Sequence, residues 1–152
     1  MSDSGITARD RQAIYDNLRQ YAWCLDRADG DGVAATFTRD GVIEASGGRQ
    51  YQSPGGMQEF VRQAATQSGF AGRQHHVQPL LIERTDDGYL VTSYWMVITW
   101  HAGSAPFLVG LGWYRDSCVL EDGKWLFRKK IISRWDNENA PLVRNQLQPP
   151  AG

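Results

Sequence analysis

The chain has 152 residues, enough for one domain whose core encloses a pocket. Its 16 basic and 17 acidic residues give a net charge of -1, which argues against the basic surface of a nucleic-acid-binding protein. There is no apolar run long enough to span a membrane, and the polar N-terminal segment lacks the apolar core of a secretory signal. No stretch resembles an interdomain linker, so we expect one domain over residues 1–152, with a core from 6 to 140 and a loosely held C-terminal tail.

Aromatic and cysteine residues give the next constraints. The six Trp, six Tyr and five Phe can wall a pocket for an apolar or ring-containing ligand as well as fill a core. Cys24 and Cys118 lie in unrelated contexts, which is typical of reduced structural thiols and predicts a cytoplasmic protein. The three histidines have no second pair of ligands at zinc-like spacing, so no metal site is expected.

The first predicted element is a helix that opens with a capping box from Thr7 to Asp10. Its apolar residues recur at a helical spacing and form one stripe that faces the interior: Ile14, Leu18, Tyr21 and Leu25. Asp26 follows directly, at the C-terminal end of the helix and close to its inward edge.

Two shorter helices and a strand are predicted next. An Asp of the segment 29–32 caps a second helix that reaches Phe37, a turn covers 38–41, and a strand covers 42–46 before Gly47-Gly48. Ser53 and Pro54 have the pattern of an N-cap and a first helical residue. The third helix that they open ends at Ser68-Gly69, and its buried stripe comprises Met57, Phe60, Val61 and Ala64.

Four strands are predicted after residue 73, over 74–83, 89–101, 107–120 and 124–135. Asp87-Gly88 and Asp122-Gly123 are strong hairpin signals, and 102–106 is a longer loop. Short links between consecutive strands imply an antiparallel sheet, and helices followed by a meander indicate an α+β fold.

The strand over 89–101 is apolar on both of its faces. Helices can cover one face, and the other is then either a cavity wall or a subunit interface. We therefore expect a homodimer or a homotrimer.

Histidines are the first candidates for chemistry. His75 and His76 are adjacent in a predicted strand, so their side chains point to opposite faces and only one of them enters an interior cavity. His101 lies at the end of the next strand, beside a glycine-containing loop.

Short motifs follow one another along most of the chain in a defined order. They are Tyr21 to Asp29 with Phe37, Asp40-Gly41 and Glu44; Gln74-His75-His76-Val77 with Leu81-Ile82-Glu83; and Gly123-Lys124-Trp125. In their order and spacing these motifs resemble the SnoaL-like family of the nuclear transport factor 2-like superfamily. The resemblance covers residues 6 to 140 and implies a curved antiparallel sheet around the N-terminal helix, with a deep conical pocket.

The resemblance also implies roles for individual residues. In members similar to hexachlorocyclohexane dehydrochlorinase and scytalone dehydratase, an Asp at the end of the first helix orients a strand histidine. Matching by position gives these catalytic roles to Asp26 and His75, with His76 facing outward. Residues expected on the substrate side of the pocket are Tyr21, Trp95, Trp113, Tyr114 and Lys130.

The expected function is that of a cofactor-independent enzyme acting on an aromatic or lipophilic small molecule by elimination. Histidine has an ordinary pKa near 6.5, and a carboxylate at one ring nitrogen leaves the other free to accept a proton. Isomerisation and polyketide or terpenoid cyclisation begin with the same step and remain alternatives. A non-catalytic binding or scaffold subunit, resembling a dioxygenase small subunit, is the alternative outside the enzymes. In that case Asp26 is a solvated helix-end charge and His75 a structural residue.

Overall fold

The protein is described by a computed structural model over residues 5–67 and 70–135. These residues form three helices and six strands, which confirms the predicted α+β class. The helices are α1 (Ala8–Asp26), α2 (Gly30–Ala34) and α3 (Gly55–Ala65). The strands are β1 (Phe37–Glu44), β2 (Gln50–Gln52), β3 (Gln74–Thr85), β4 (Gly88–Thr99), β5 (Phe107–Glu121) and β6 (Lys124–Arg134).

The six strands form one sheet in the order β2-β1-β6-β5-β4-β3. The meander from β3 to β6 is antiparallel as predicted, and Asp122 and Gly123 both have the positive φ of a tight hairpin turn. However, β1 pairs with β6 in parallel, so the sheet is mixed rather than wholly antiparallel. Parallel neighbours need a long connection, and here that connection consists of β2, α3 and the first three strands of the meander.

Helix α1 begins and packs as the sequence predicts. The Thr7 hydroxyl oxygen accepts a hydrogen bond from the Asp10 backbone N–H at 3.1 Å. All four residues of the predicted stripe are buried in the core: Ile14, Leu18, Tyr21 and Leu25. The ring of Tyr21 makes edge contacts with Phe37, Tyr114 and Phe127, so this helix is tied to β1, β5 and β6.

Three local predictions in the first half of the chain are wrong. Helix α2, capped by Asp29, ends at Ala34 instead of Phe37, because the Thr36 carbonyl accepts the Phe127 N–H and draws the following residues into β1. The predicted turn over 38–41 is therefore part of β1. Strand β2 was not predicted, since it has only three residues.

Helix α3 begins one residue later than expected. Its N-cap is Pro54, which makes no side-chain cap hydrogen bond, and not Ser53. Met57 and Val61 are buried, with Phe60 and Ala64 packed against them. The predicted helix end at 68–69 and the predicted loose tail after residue 137 lie outside the described residues.

The two faces of β4 differ in what covers them. Residues at alternate positions from Tyr89 to Thr99 are buried under the helices, whereas Tyr94 and Met96 are 39% and 42% exposed on the outer face. The outer face therefore carries large apolar groups that the helices do not cover.

No helix in the described part of the chain is long and apolar enough to cross a membrane.

Candidate active site

Asp26 and His75 meet at the end of α1. The Asp26 Oδ1 atom lies 2.5 Å from His75 Nδ1, and Asp26 Oδ2 accepts the His75 backbone N–H at 2.9 Å. Their side chains are 19% and 11% exposed respectively, so the pair is largely withdrawn from water but still reachable. Because both carboxylate oxygens bind the same residue, the position of the imidazole is well determined.

This contact sets the roles of the two imidazole nitrogens. The carboxylate favours a proton on Nδ1, so the neutral ring presents Nε2 as its acceptor. The ring of His75 also lines a cavity between α1, α3 and the sheet. A ligand in that cavity would therefore meet an imidazole that Asp26 holds in one tautomer.

The cavity has a volume of about 240 Å³, which is below the usual range for ligand pockets and limits it to a small, ring-sized ligand. Most of its wall is apolar or aromatic: Tyr21, Leu25, Phe60, Ala64, Phe70, Trp95, Tyr114 and Ile132. Its polar groups come from Ser46, Gln67, Arg73, His75 and Arg134. Its apolar side is thus continuous with the core, and the polar residues on the rest of the wall are available to orient a ligand.

Trp95 and Tyr114 form the flat part of this wall. Their rings are stacked with centroids 5.9 Å apart and an interplanar angle of 22°. The Trp95 indole N–H donates to the Trp113 carbonyl at 3.1 Å, so its orientation is determined by the backbone of β5. The structure thus places both residues on the cavity side, where the resemblance expected them.

Tyr21 also lines the cavity, and its phenol carries a further polar group. Its hydroxyl is buried and has no hydrogen-bond partner among the described residues. Burial is the main cause that raises the pKa of Tyr21, followed by the charges of Tyr114, Asp116 and Asp26, so the group is a neutral donor at ordinary pH. A buried hydroxyl without a partner is costly, and because this one has almost no accessible surface, a ligand oxygen would satisfy it only after the surrounding side chains shift.

Trp113 was expected on the substrate side, and the structure shows that this prediction is wrong. Adjacent strand residues point to opposite faces, so Trp113 and Tyr114 cannot share one. Trp113 lies on the outer face, where its ring centroid is 6.4 Å from that of Trp135.

Lys130 was also expected beside the substrate, and it does not line the cavity. It is fully buried, and its Nζ atom lies 2.8 Å from both carboxylate oxygens of Asp116. The rings of Tyr21, Tyr114 and Phe127 surround the ammonium at 4.1 to 4.5 Å from their centroids. Burial lowers the pKa of Lys130 and raises the pKa of Asp116, while each charge offsets part of the effect on the other. This ion pair therefore packs in the core against the rings of Tyr21 and Tyr114, two of the residues that line the cavity.

The other two histidines lie away from the cavity. His76 lines a hollow of about 480 Å³ on the outer face of the sheet, which confirms that only one of the adjacent pair points inward. His101 is in the loop between β4 and β5, with its ring 5.9 Å from that of Phe107. The described residues include no group of three or more His, Cys, Asp or Glu side chains that could hold a metal ion.

Comparison with known proteins identifies the family. The model of the SnoaL-like domain matches residues 7–130. The chain belongs to the SnoaL-like domain family. No curated protein matches this SnoaL-like domain.

Solved structures show the same fold for this SnoaL-like domain. ActVI-ORFA from Streptomyces coelicolor is 25% identical with a TM-score of 0.73, covering 82% of this chain and 96% of its own. A protein from Novosphingobium aromaticivorans, provisionally named scytalone dehydratase, is 20% identical with a TM-score of 0.71, covering 90% and 89%. An NTF2-like protein with a cystatin-like fold from the same organism is 15% identical with a TM-score of 0.74, covering 92% and 90%. These matches confirm the fold predicted from the sequence.

Two cavity cations of the SnoaL-like domain were not predicted, Arg73 and Arg134. Arg73 precedes β3 and is two residues before His75, so it lies beside a histidine already singled out. Arg134 ends β6, at the same alternation as Ile132, which also lines the cavity. The alternation with His75 was a signal for Arg73, although scattered arginines are usually surface residues. No such signal existed for Arg134, because its direction depends on an irregularity in the sheet.

Proposed function

We propose that this SnoaL-like domain is a cofactor-independent lyase in which His75 removes a C–H proton from a ring-containing small molecule. The observation that carries the proposal is the two-point contact of Asp26 with His75 at the wall of an aromatic cavity. A solvated helix-end charge would not hold an imidazole in this way, and the cavity beside the imidazole favours an enzyme over a purely structural pairing.

The elimination runs through groups of this chain. His75 Nε2 accepts the proton from a carbon that lies next to a carbonyl, and the C–H electron pair forms the enolate. Asp26 stabilises the imidazolium, and the Tyr21 hydroxyl, which comes into reach as side chains shift around the bound substrate, donates to the carbonyl oxygen on which negative charge develops. The enolate then expels a hydroxide from the neighbouring carbon, and the imidazolium returns its proton to give water.

Two features support an aromatic or lipophilic substrate. Trp95 and Tyr114 offer stacked rings, and the remaining apolar wall excludes water from the reacting atoms. We place elimination before the isomerase and cyclase alternatives because the Novosphingobium neighbour is provisionally named a dehydratase; the shared fold itself fits all three. We also propose that the exposed apolar groups on the outer face of the sheet are covered in a homodimer or a homotrimer.

The proposal is tested by proton exchange and by elimination with model ketones. Wild-type protein in deuterium oxide should exchange the acidic protons of β-tetralone, followed by proton NMR, faster than the buffer alone. It should also speed the loss of water from an aryl β-hydroxyketone, followed by ultraviolet absorbance. Rates equal to the buffer blank for every ketone tested would overturn the proposal.

Replacing Tyr21 with Phe should separate stability from activity. We expect exchange to fall by about 10-fold to 100-fold, because one donor to the developing oxyanion is lost. The melting temperature should stay the same or rise, since the change removes a buried hydroxyl without a partner in the described structure. Tyr94→Phe on the outer face is the matched control and should keep full activity. A Tyr21→Phe protein with unchanged exchange would remove this residue from the mechanism.

A further inference from the structure

Two guanidinium groups share the cavity wall with His75. Arg73 is half-buried and Arg134 is exposed, whereas Tyr21 and Tyr114 on the same wall are almost completely buried. The cavity therefore has a cationic end near solvent and an aromatic end in the core. A ligand that fills it would have one polar, outward group and one apolar, inward group.

The described residues of this wall include two arginines and no Asp or Glu. Burial and then the charge of Arg134 lower the pKa of Arg73, while Asp26 acts in the opposite direction. Two positive charges on one cavity wall repel each other, and an anion between them would offset that repulsion.

Arg134 is held in place before any ligand binds. Its Nη2 atom donates to the Val109 carbonyl at 2.7 Å, and its backbone N–H donates to Ser46 Oγ at 2.9 Å. Gly110 leaves the space for the guanidinium, because a Cβ there would come within 3.1 Å of Nη2. A guanidinium has several N–H donors, so one bond to a carbonyl leaves others for an acceptor in the cavity.

We infer that the cavity takes ring compounds that carry a carboxylate, and that Arg73 and Arg134 bind this group while the ring lies against Trp95 and Tyr114. The two oxygens of a carboxylate match the parallel N–H groups of a guanidinium. The inference rests on the proposed function for the reaction at His75, but the recognition of the anion is independent of the chemistry. It narrows the substrate to an aromatic or alicyclic acid.

The test compares a carboxylate with its uncharged isostere. Calorimetric titration of the wild-type protein with naphthoate and naphthamide should show tighter binding of the carboxylate by roughly 10-fold, the size typical of a charged hydrogen bond. The preference should weaken as salt is added, because the arginines lie near solvent. Arg73→Gln and Arg134→Gln should each reduce it, whereas Arg115→Gln, an exposed arginine of the same sheet, should leave it unchanged.

Several outcomes would overturn the inference. Equal affinity for naphthoate and naphthamide in the wild-type protein would do so without any variant, as would binding of neither compound. A preference that survives both glutamine substitutions would place the anion elsewhere, and tighter binding of naphthyl phosphate than of naphthoate would assign the site to phosphates.

The same measurements on His75→Ala separate this inference from the proposed function. That variant should keep the preference for the carboxylate while it loses proton exchange. If the wild-type protein exchanges protons but does not prefer naphthoate to naphthamide, only the anion site is overturned. An intact preference together with unchanged exchange in His75→Ala would overturn only the proposed function.

Discussion

Replacing His75 with Ala should lower the rate of β-tetralone proton exchange by about 10²–10⁴-fold, the contribution typical of a positioned general base. The loss should appear in the turnover rate more than in the affinity for the ketone, because the stacked wall of Trp95 and Tyr114 remains. The fold should be retained, since Asp26 Oδ2 binds the backbone N–H of residue 75, which alanine keeps. Proton NMR for exchange and circular dichroism for folding measure the two effects.

His76→Ala is the matched control for this experiment. The two histidines are neighbours in β3, but His76 lines the outer hollow and does not contact Asp26 in the described structure. We expect its activity within a factor of two of wild type. A His75→Ala protein as active as His76→Ala would show that the Asp26 contact is structural, and the lyase proposal would then be wrong.

The sequence alone carries much of the fold, because its local signals agree with the tertiary packing. The helical stripe from Ile14 to Leu25, the Thr7 cap and the Asp122-Gly123 turn each correspond to an observed element. The other predicted hairpin also forms, but its turn is one residue earlier, at Asp86-Asp87, and Gly88 begins β4. The predictions fail where a tertiary contact overrides a local pattern. Residues 38–41 resemble a turn, yet the bond between Thr36 and Phe127 makes them part of β1.

The pair of Asp26 and His75 was predictable from the sequence. Two of the five residues expected on the substrate side, Trp113 and Lys130, do not line the cavity. The alternation of strand residues places only one of His75 and His76 inside, and the family resemblance links that residue to Asp26. The same alternation excludes Trp113 once Tyr114 is inside, and applying it strictly would have removed this residue from the predicted site.

Residues on β6 were harder to place, because their direction depends on an irregularity in the sheet. A regular hairpin continued from the Glu121 and Lys124 pair would set Asp116 opposite Lys129. The shift between Ser117 and Cys118 moves the register by one, so that Asp116 instead pairs with Lys130. This bulge turns Lys130 and Arg134 inward, and the sequence shows no clear sign of it.

The second large effect concerns stability and involves this shifted pair. Replacing Lys130 with Met should lower the free energy of unfolding by about 3–5 kcal/mol, because it leaves the Asp116 carboxylate buried without its counter-charge. Both side chains are fully buried, and the ammonium lies within hydrogen-bond distance of both carboxylate oxygens. Urea unfolding followed by tryptophan fluorescence measures the change.

Lys129→Met is the control, because the chain offers a neighbouring lysine with the same ion-pair distance but a different environment. Lys129 Nζ lies 2.8 Å from Glu44 Oε2, and its side chain is 42% exposed. Water screens such a pair, so its loss should cost much less than the loss of Lys130. Equal costs for the two lysine variants would contradict the view that burial sets the value of the Asp116–Lys130 contact.

The double variant Asp116→Leu, Lys130→Met should recover most of the stability lost in Lys130→Met. Burial raises the pKa of Asp116 and lowers that of Lys130, which means that the surroundings disfavour both charged forms, and each charge is tolerated mainly because of the other. Removing both charges therefore removes the desolvation cost together with the attraction, as replacing buried ion pairs with apolar groups often does. The recovery should be incomplete, because Lys130 also lies against the rings of Tyr21, Tyr114 and Phe127. A double variant less stable than Lys130→Met alone would contradict this view, because it would show that the Asp116 carboxylate stabilises the fold even without its counter-charge.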